Sequence, residues 1–134
     1  INLEEKVKLH LGKFDLIICA DVIEHLEEPD QLLELILKVS HNNSYILIST
    51  PERDIVRGKK IMFSPNIYHF REWNSEELDS YLSHMGLDVL ETKLYPPMKF
   101  AFNFSYFLEW YNQIKKLHSF RYNQVKICKK KVRI

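Results

Sequence analysis

Apolar positions along this chain fall into short runs separated by polar, turn-forming segments, and the spacing inside each run sets the element it predicts. Leu16-Ile17-Ile18-Cys19-Ala20 is continuous, too short for a globular helix and rich in β-branched residues. It reads as a strand buried on both faces, as in a parallel sheet with helices above and below. Glu27-Glu28-Pro29-Asp30 supplies acids and a proline, the chemistry of a helix start. Gln31 to Val39 then presents Leu32, Leu33, Ile36, Leu37 and Val39 as a broad apolar face. His41-Asn42-Asn43-Ser44 is turn chemistry, and Tyr45 to Thr50 is a second apolar strand stopped by Pro51. Strand, helix and strand with short links predict a βαβ unit, hence parallel strands and a right-handed crossover.

The second half is less regular. Residues 51–74 show no periodicity, and a connection of that length inside a domain is more often functional than idle. Ser75 predicts a helix cap with Glu76 and Glu77 in the first turn, and Leu78, Tyr81, Leu82 and Met85 follow at helical spacing up to Gly86. Leu87 to Leu94 alternates as a third strand. Phe100, Phe102, Phe104, Tyr106, Phe107, Trp110 and Tyr111 crowd twelve positions, and Tyr106 to Leu117 fits a helical face. Core packing onto the sheet is the default reading of this aromatic segment, ahead of a lid, a dimer surface or a membrane contact. From Gln124 to Ile134, lysines interleave with Val125, Ile127, Val132 and Ile134, the pattern of a solvent-facing edge strand.

At 134 residues one core is expected. A net charge of +1 argues against a nucleic-acid partner, apart from the terminal cluster of Lys126, Lys129, Lys130, Lys131 and Arg133. Cys19 and Cys128 sit in apolar strand-like runs, which suits a reducing, cytoplasmic setting better than a disulfide scaffold. No apolar run reaches transmembrane length and no signal peptide opens the chain. The first residue, Ile1, suggests a truncated protein.

Chemistry gathers where the first strand ends. Polarity changes abruptly there to Asp21, Glu24 and His25, and ligands of open α/β sheets bind outside the carboxyl ends of the strands. An imidazole there can act as a general base, so His25 with Glu24 is the catalytic candidate; helix capping is the bland alternative. Arg53 or Arg57, just past the second strand, can hold an anionic acceptor, although internal ion pairing is the simpler role.

Phe14 to Leu26, read as a whole, resembles the fourth-strand motif of class I S-adenosylmethionine-dependent methyltransferases. Glu28-Pro29-Asp30, the strand Tyr45 to Pro51, and His69-Phe70-Arg71-Glu72-Trp73 fit the same family in order, over about residues 1 to 94. The family's Gly-rich first-strand loop is missing, since the three glycines, Gly12, Gly58 and Gly86, lie far apart. The resemblance therefore implies the second half of a Rossmann-like α/β domain, from the fourth strand onward. It would comprise a parallel βαβ unit, a helix and a terminal antiparallel strand pair, with an aromatic-rich insertion at about 95–122.

The resemblance implies S-adenosylmethionine as cofactor, bordered by Ala20, Asp21 and Val22, with Asn2 and Leu3 near its adenine. It implies a small-molecule acceptor, for which His69 and Arg71 join Arg53 as binding candidates. Asp21, Glu24, His25 and His69 also resemble the metal site of the small-RNA 2′-O-methyltransferases, where magnesium sits beside a terminal ribose. Here Asp21 stands where that family has a glutamate, and a two-histidine site is unusual for magnesium. The readings set against each other are a small-molecule methyltransferase, a metal-dependent RNA 3′-end methyltransferase, and a methyltransferase-like interaction module without activity. Without a neighbour on its other side, the first strand would be an apolar edge, so a homodimer through that edge or the aromatic segment is expected.

Overall fold

The computed structural model describes residues 2–3, 11–95, 111 and 123–131. The chain runs β1 (Phe14–Ala20), a single 3₁₀ turn (Ile23–His25), α1 (Asp30–Val39), β2 (Ser40–Pro51), α2 (Arg53–Arg57), α3 (Ser75–His84), β3 (Leu87–Tyr95) and β4 (Asn123–Lys130). The strands form one sheet in the order β1-β2-β4-β3. β1 and β2 are parallel, as a βαβ unit requires, while β4 runs antiparallel to both of its neighbours. The aromatic insertion lies outside the described residues except for Tyr111, which is helical.

Leu32, Leu33 and Ile36 of α1 and Leu78 and Leu82 of α3 pack with Ile46 and Ile48 of β2 and Cys128 of β4 into one core. Ile46 and Ile48 lose all exposure there, worth roughly 1.5–3 kcal/mol each. α1 is fastened at both ends. The Tyr81 hydroxyl donates to Asp30 Oδ1 at 2.5 Å, and Ser40 Oγ donates to the Leu37 carbonyl at 3.0 Å.

Four sequence expectations need correction. β1 is not buried on both faces: Ile17 and Cys19 join the core, but Leu16 is 54 % and Ile18 64 % exposed. The reason is that α1 and α3 cover the same side of the sheet. β4 is not an edge strand, because it inserts between β2 and β3. Its register turns Gln124, Lys126 and Cys128 inward and leaves Val125 and Ile127 only half-buried. The turn 41–44 is absorbed into β2 as a bulge, where Ser40 and Tyr45 face Phe14 and Leu16. Finally, α3 is capped by Asn74 rather than Ser75, through a reciprocal capping box with Glu77.

Lys126 is fully buried yet satisfied. Its ammonium pairs with Asp79 at 2.6 Å and donates to Ser75 Oγ, the Ser75 carbonyl and Thr92 Oγ1 at 2.7, 3.1 and 3.0 Å. A buried lysine survives only with such partners. Cys19 and Cys128 are free, buried thiols, pushed by burial up to about 11 and about 12, and so chemically quiet.

Candidate active site

The site grows from the way β1 ends. After Ala20 the backbone leaves the sheet through Asp21, whose φ of 52° is the left-handed region that aspartate tolerates better than most residues. The Asp21 amide donates to the Ser49 carbonyl at 3.0 Å, and its Oδ1 accepts from Ser49 Oγ at 2.9 Å and Asn123 Nδ2 at 2.8 Å. That clasp ties β1, β2 and β4 together at their ligand-facing ends. The 3₁₀ turn follows, anchored by the fully buried Ile23.

Glu24 points inward and is 1 % exposed, with Oε2 accepting from Thr50 Oγ1 of β2 at 2.9 Å. Burial pushes its carboxyl above the usual carboxylate range, against the lowering effect of its hydrogen bonds. His25 stays exposed, and its Nδ1 lies 2.8 Å from the Tyr68 carbonyl. A carbonyl only accepts, so Nδ1 carries a proton, and in the neutral imidazole the lone pair lies on Nε2.

The long loop then returns over these strand ends. Its last stretch is stitched down by the Phe70 amide to the Glu24 carbonyl at 2.8 Å and by the Arg53 amide to the Trp73 carbonyl at 3.0 Å. This brings His69 beside His25, with ring centroids 4.7 Å apart in a T-shaped arrangement. His69 Nδ1 meets Glu72 Oε1 at 2.7 Å. Burial raises the Glu72 carboxyl, but hydrogen bonds from Arg57, Ser64 and His69 outweigh it and hold the group down at about 2. Ionised Glu72 accepts from Nδ1, so in the neutral imidazole of His69 the lone pair lies on Nε2.

Glu24, His25 and His69 thus form a cluster whose ligating atoms all lie within 4.8 Å of one another. They open onto a pocket of about 590 Å³ that Asp21, Arg57, Asn66 and Asn123 also line. The arrangement offers two imidazole lone pairs and a buried carboxyl of raised proton affinity. It can take up a proton or hold a metal ion.

The predicted residues do not all converge. Arg53 is 5 % exposed and forks onto Glu77 at 2.8 and 2.9 Å, so its guanidinium braces α3 and does not line the pocket; Arg57 takes that place. Arg71 lies over the Trp73 ring at 5.2 Å, also off the pocket. Asp21 lines the pocket but falls outside the ligand cluster, its carboxylate being committed to Ser49 and Asn123. Ala20 is exposed at the β1 tip, Val22 and Leu3 pack against the core, and Asn2 is exposed. Sequence reasoning missed Thr50 and Asn123 as partners of the site. Glu72 stands three residues after His69, a spacing that could have flagged it; Asn123, 102 residues from Asp21, gave no signal.

A family model described as a methyltransferase domain matches residues 3–92. A Mycolicibacterium smegmatis protein named a probable S-adenosylmethionine-dependent methyltransferase is 33 % identical over 84 residues, which cover 58 % of this chain and 30 % of that protein. Among solved structures, the Burkholderia thailandensis 1,6-didemethyltoxoflavin-N1-methyltransferase, bound to S-adenosylhomocysteine, superposes with a TM-score of 0.63 at 15 % identity, covering 93 % of this chain and 48 % of that one. The cyclase SpnF superposes with a TM-score of 0.64 at 14 % identity, covering 99 % of this chain and 56 % of that one. The chain therefore spans about half the length of these solved structures and under a third of the curated relative. The fold is the α/β fold of class I methyltransferases, and the chain belongs to the methyltransferase-domain family.

Proposed function

We propose that the protein containing this chain transfers a methyl group from S-adenosylmethionine to an oxygen or nitrogen of a small molecule, a sugar or glycan precursor being one candidate acceptor. The observation that carries the reading is the meeting of Glu24, His25 and His69 at the carboxyl ends of β1 and β2, in a chain matched by a methyltransferase-domain model. Fold alone would not suffice, since a cyclase shares it.

The chain fits the cofactor as one wall of its site. Ala20 is small and exposed, the backbone turns sharply at Asp21, and β1 lies at the open edge of the sheet. Ala20, Asp21 and Val22 would border the cofactor, which when bound supplies an electrophilic methyl group. The chain's residues do the rest. Nε2 of His25 accepts the proton that the acceptor O–H or N–H loses, with Nδ1 fixed on the Tyr68 carbonyl. His69, oriented by Glu72, is positioned to bind the acceptor beside it, and Arg57 supplies a cation at the pocket wall.

The test is calorimetric titration of S-adenosylhomocysteine into the full-length protein, with and without magnesium. One-to-one binding that ignores the metal is the expected result. With an acceptor identified, His25→Ala should then lower methyl transfer by roughly 100-fold or more while leaving S-adenosylhomocysteine affinity unchanged. Absence of binding in both conditions would sink the reading and favour a module without catalysis.

A second reading rests on the same cluster. Two imidazoles and one carboxylate within 4.8 Å suit a divalent ion, and their orientation by Tyr68, Glu72 and Thr50 is the support that metal ligands need. Magnesium favours oxygen donors, so this set fits a transition metal better. Methylation of an RNA 3′-terminal ribose would then depend on metal, and activity abolished by chelator and restored by the ion would choose it.

A further inference from the structure

From Ile55 to Arg71 the chain contains no acidic residue but carries Arg57, Lys59, Lys60 and Arg71, although the whole sequence balances 19 basic against 18 acidic residues. Arg57 is committed to Glu72, while Lys59 and Lys60 are exposed. Next to the lysines, six of the ten residues from 61 to 70 are exposed large apolar side chains: Ile61, Met62, Phe63, Ile67, Tyr68 and Phe70. Phe63 and Ile67 are 85 % and 86 % exposed. Single exposed apolar residues are ordinary, but a cluster of this kind marks an interaction surface.

The backbone beneath these side chains is pinned. Ser64 Oγ donates to Glu72 at 2.7 Å, the Tyr68 amide to Asn66 Oδ1 at 3.1 Å, and the Phe70 amide to the Glu24 carbonyl at 2.8 Å. Polar groups of the loop are thus satisfied inward, and the apolar ones are held out in water.

We propose that this segment seats on an anionic lipid surface, with Phe63 and Ile67 entering the interfacial layer and Lys59 and Lys60 meeting the headgroups. The charge pattern selects this occupant. A second copy of the chain, joined through the same patch, would set one acid-free, lysine-bearing segment against another. Lysine is depleted at protein interfaces, whereas paired lysines beside protruding aromatic and aliphatic side chains suit anionic bilayers. Docking of this kind needs no transmembrane helix, and none is found among the described residues. Pro65 and Asn66 of the same segment line the pocket, so docking sets its mouth at the lipid boundary. Resting on the methyl-transfer reading, that position favours an amphiphilic acceptor; the docking itself stands without it.

The experiment is flotation of the full-length protein with vesicles of phosphatidylcholine alone or mixed with phosphatidylglycerol. Flotation is expected only with the anionic vesicles, and it should weaken as salt is raised. Lys59→Glu with Lys60→Glu should cost at least roughly fivefold in partition per lysine. Phe63→Ser with Ile67→Ser should abolish flotation. Both variant pairs alter exposed side chains, so unchanged melting curves and unchanged S-adenosylhomocysteine binding report an intact fold and site. Failure to float on anionic vesicles, or flotation indifferent to both variant pairs, would overturn the proposal. So would a wild-type dimer that becomes monomeric in the Phe63→Ser, Ile67→Ser variant, since that assigns the surface to a second copy.

Discussion

In β1 the apolar Leu16 and Ile18 lie open to solvent, whereas in β4 the polar Gln124 and Lys126 are sealed against α3 and its approach. Side-chain chemistry and burial run in opposite senses on two strands of one sheet. Position in the sheet explains both. β4 has a strand on each side and α3 over its inward face, so whatever points inward is buried; Lys126 is fully partnered there, while Gln124 is paired through Nε2 and not through Oε1. β1 has a neighbour on one side only, and its outer face has no helix among the described residues. A run as apolar as β1 belongs where both faces are covered, which fits a chain that spans about half the length of its solved relatives.

The comparison predicts its largest effect at Lys126. Lys126→Ala removes the ammonium from Asp79, Ser75 and Thr92 and leaves a cavity, so a loss of about 3 kcal/mol is expected in urea denaturation. Lys126→Met keeps the volume without the charge and should cost less than the alanine change, because a buried pair adds little over a packed apolar residue. Equal losses in the two variants would mean that the charge and its partners, not side-chain volume, keep lysine at this position.

Glu72 should come next, and it moves with pH. Its carboxyl is held at about 2 in the folded chain against 4.5 ordinarily, so the folded state binds fewer protons than the unfolded one between those values. The stabilisation is present above about pH 5 and is lost as pH falls towards 2. About 2–3 kcal/mol of acid sensitivity should therefore disappear in Glu72→Gln, which also removes the anion that fixes the His69 tautomer. A Glu72→Gln stability profile parallel to wild type below pH 5 would contradict this assignment.

The same contrast shows what the sequence could disclose. Periodicity located α1, α3 and the parallel pair, because those elements follow from spacing along the chain. The polarity change past the first strand marked Glu24 and His25, the family resemblance added His69, and the fold brings the three together. β4 was misplaced because lysine alternating with valine looks alike at an edge and in a centre; the deciding facts are Asp79, Ser75 and Thr92, which no local pattern links to Lys126. Arg53 stayed open between a ligand and an internal ion pair for the same reason, and the ion pair, the simpler reading, is the one formed. A guanidinium past a strand end suits a ligand or Glu77 equally, and only the packing of α3 decides. Asn123 reaches Asp21 across 102 positions, beyond any reading of neighbours.

The smallest energetic effect is expected at Ile18, and it reports most directly on the open edge. In the 134-residue chain Ile18 is 64 % exposed, so Ile18→Lys should change unfolding free energy by no more than about 0.5 kcal/mol. Its consequence should appear in association. Among the described residues β1 has an unpaired backbone edge beside Leu16 and Ile18, and the wild-type chain should self-associate in a sedimentation concentration series. Leu16→Lys with Ile18→Lys should shift it towards monomer, since charge on an edge strand blocks pairing. In the full-length protein the same pair should instead destabilise by several kcal/mol, because lysines would be forced under whatever covers that face. A wild-type chain that melts cooperatively as a monomer would show that the edge is harmless. Tolerance of both lysines at full length would show that nothing covers the face, and that β1 is apolar for another reason.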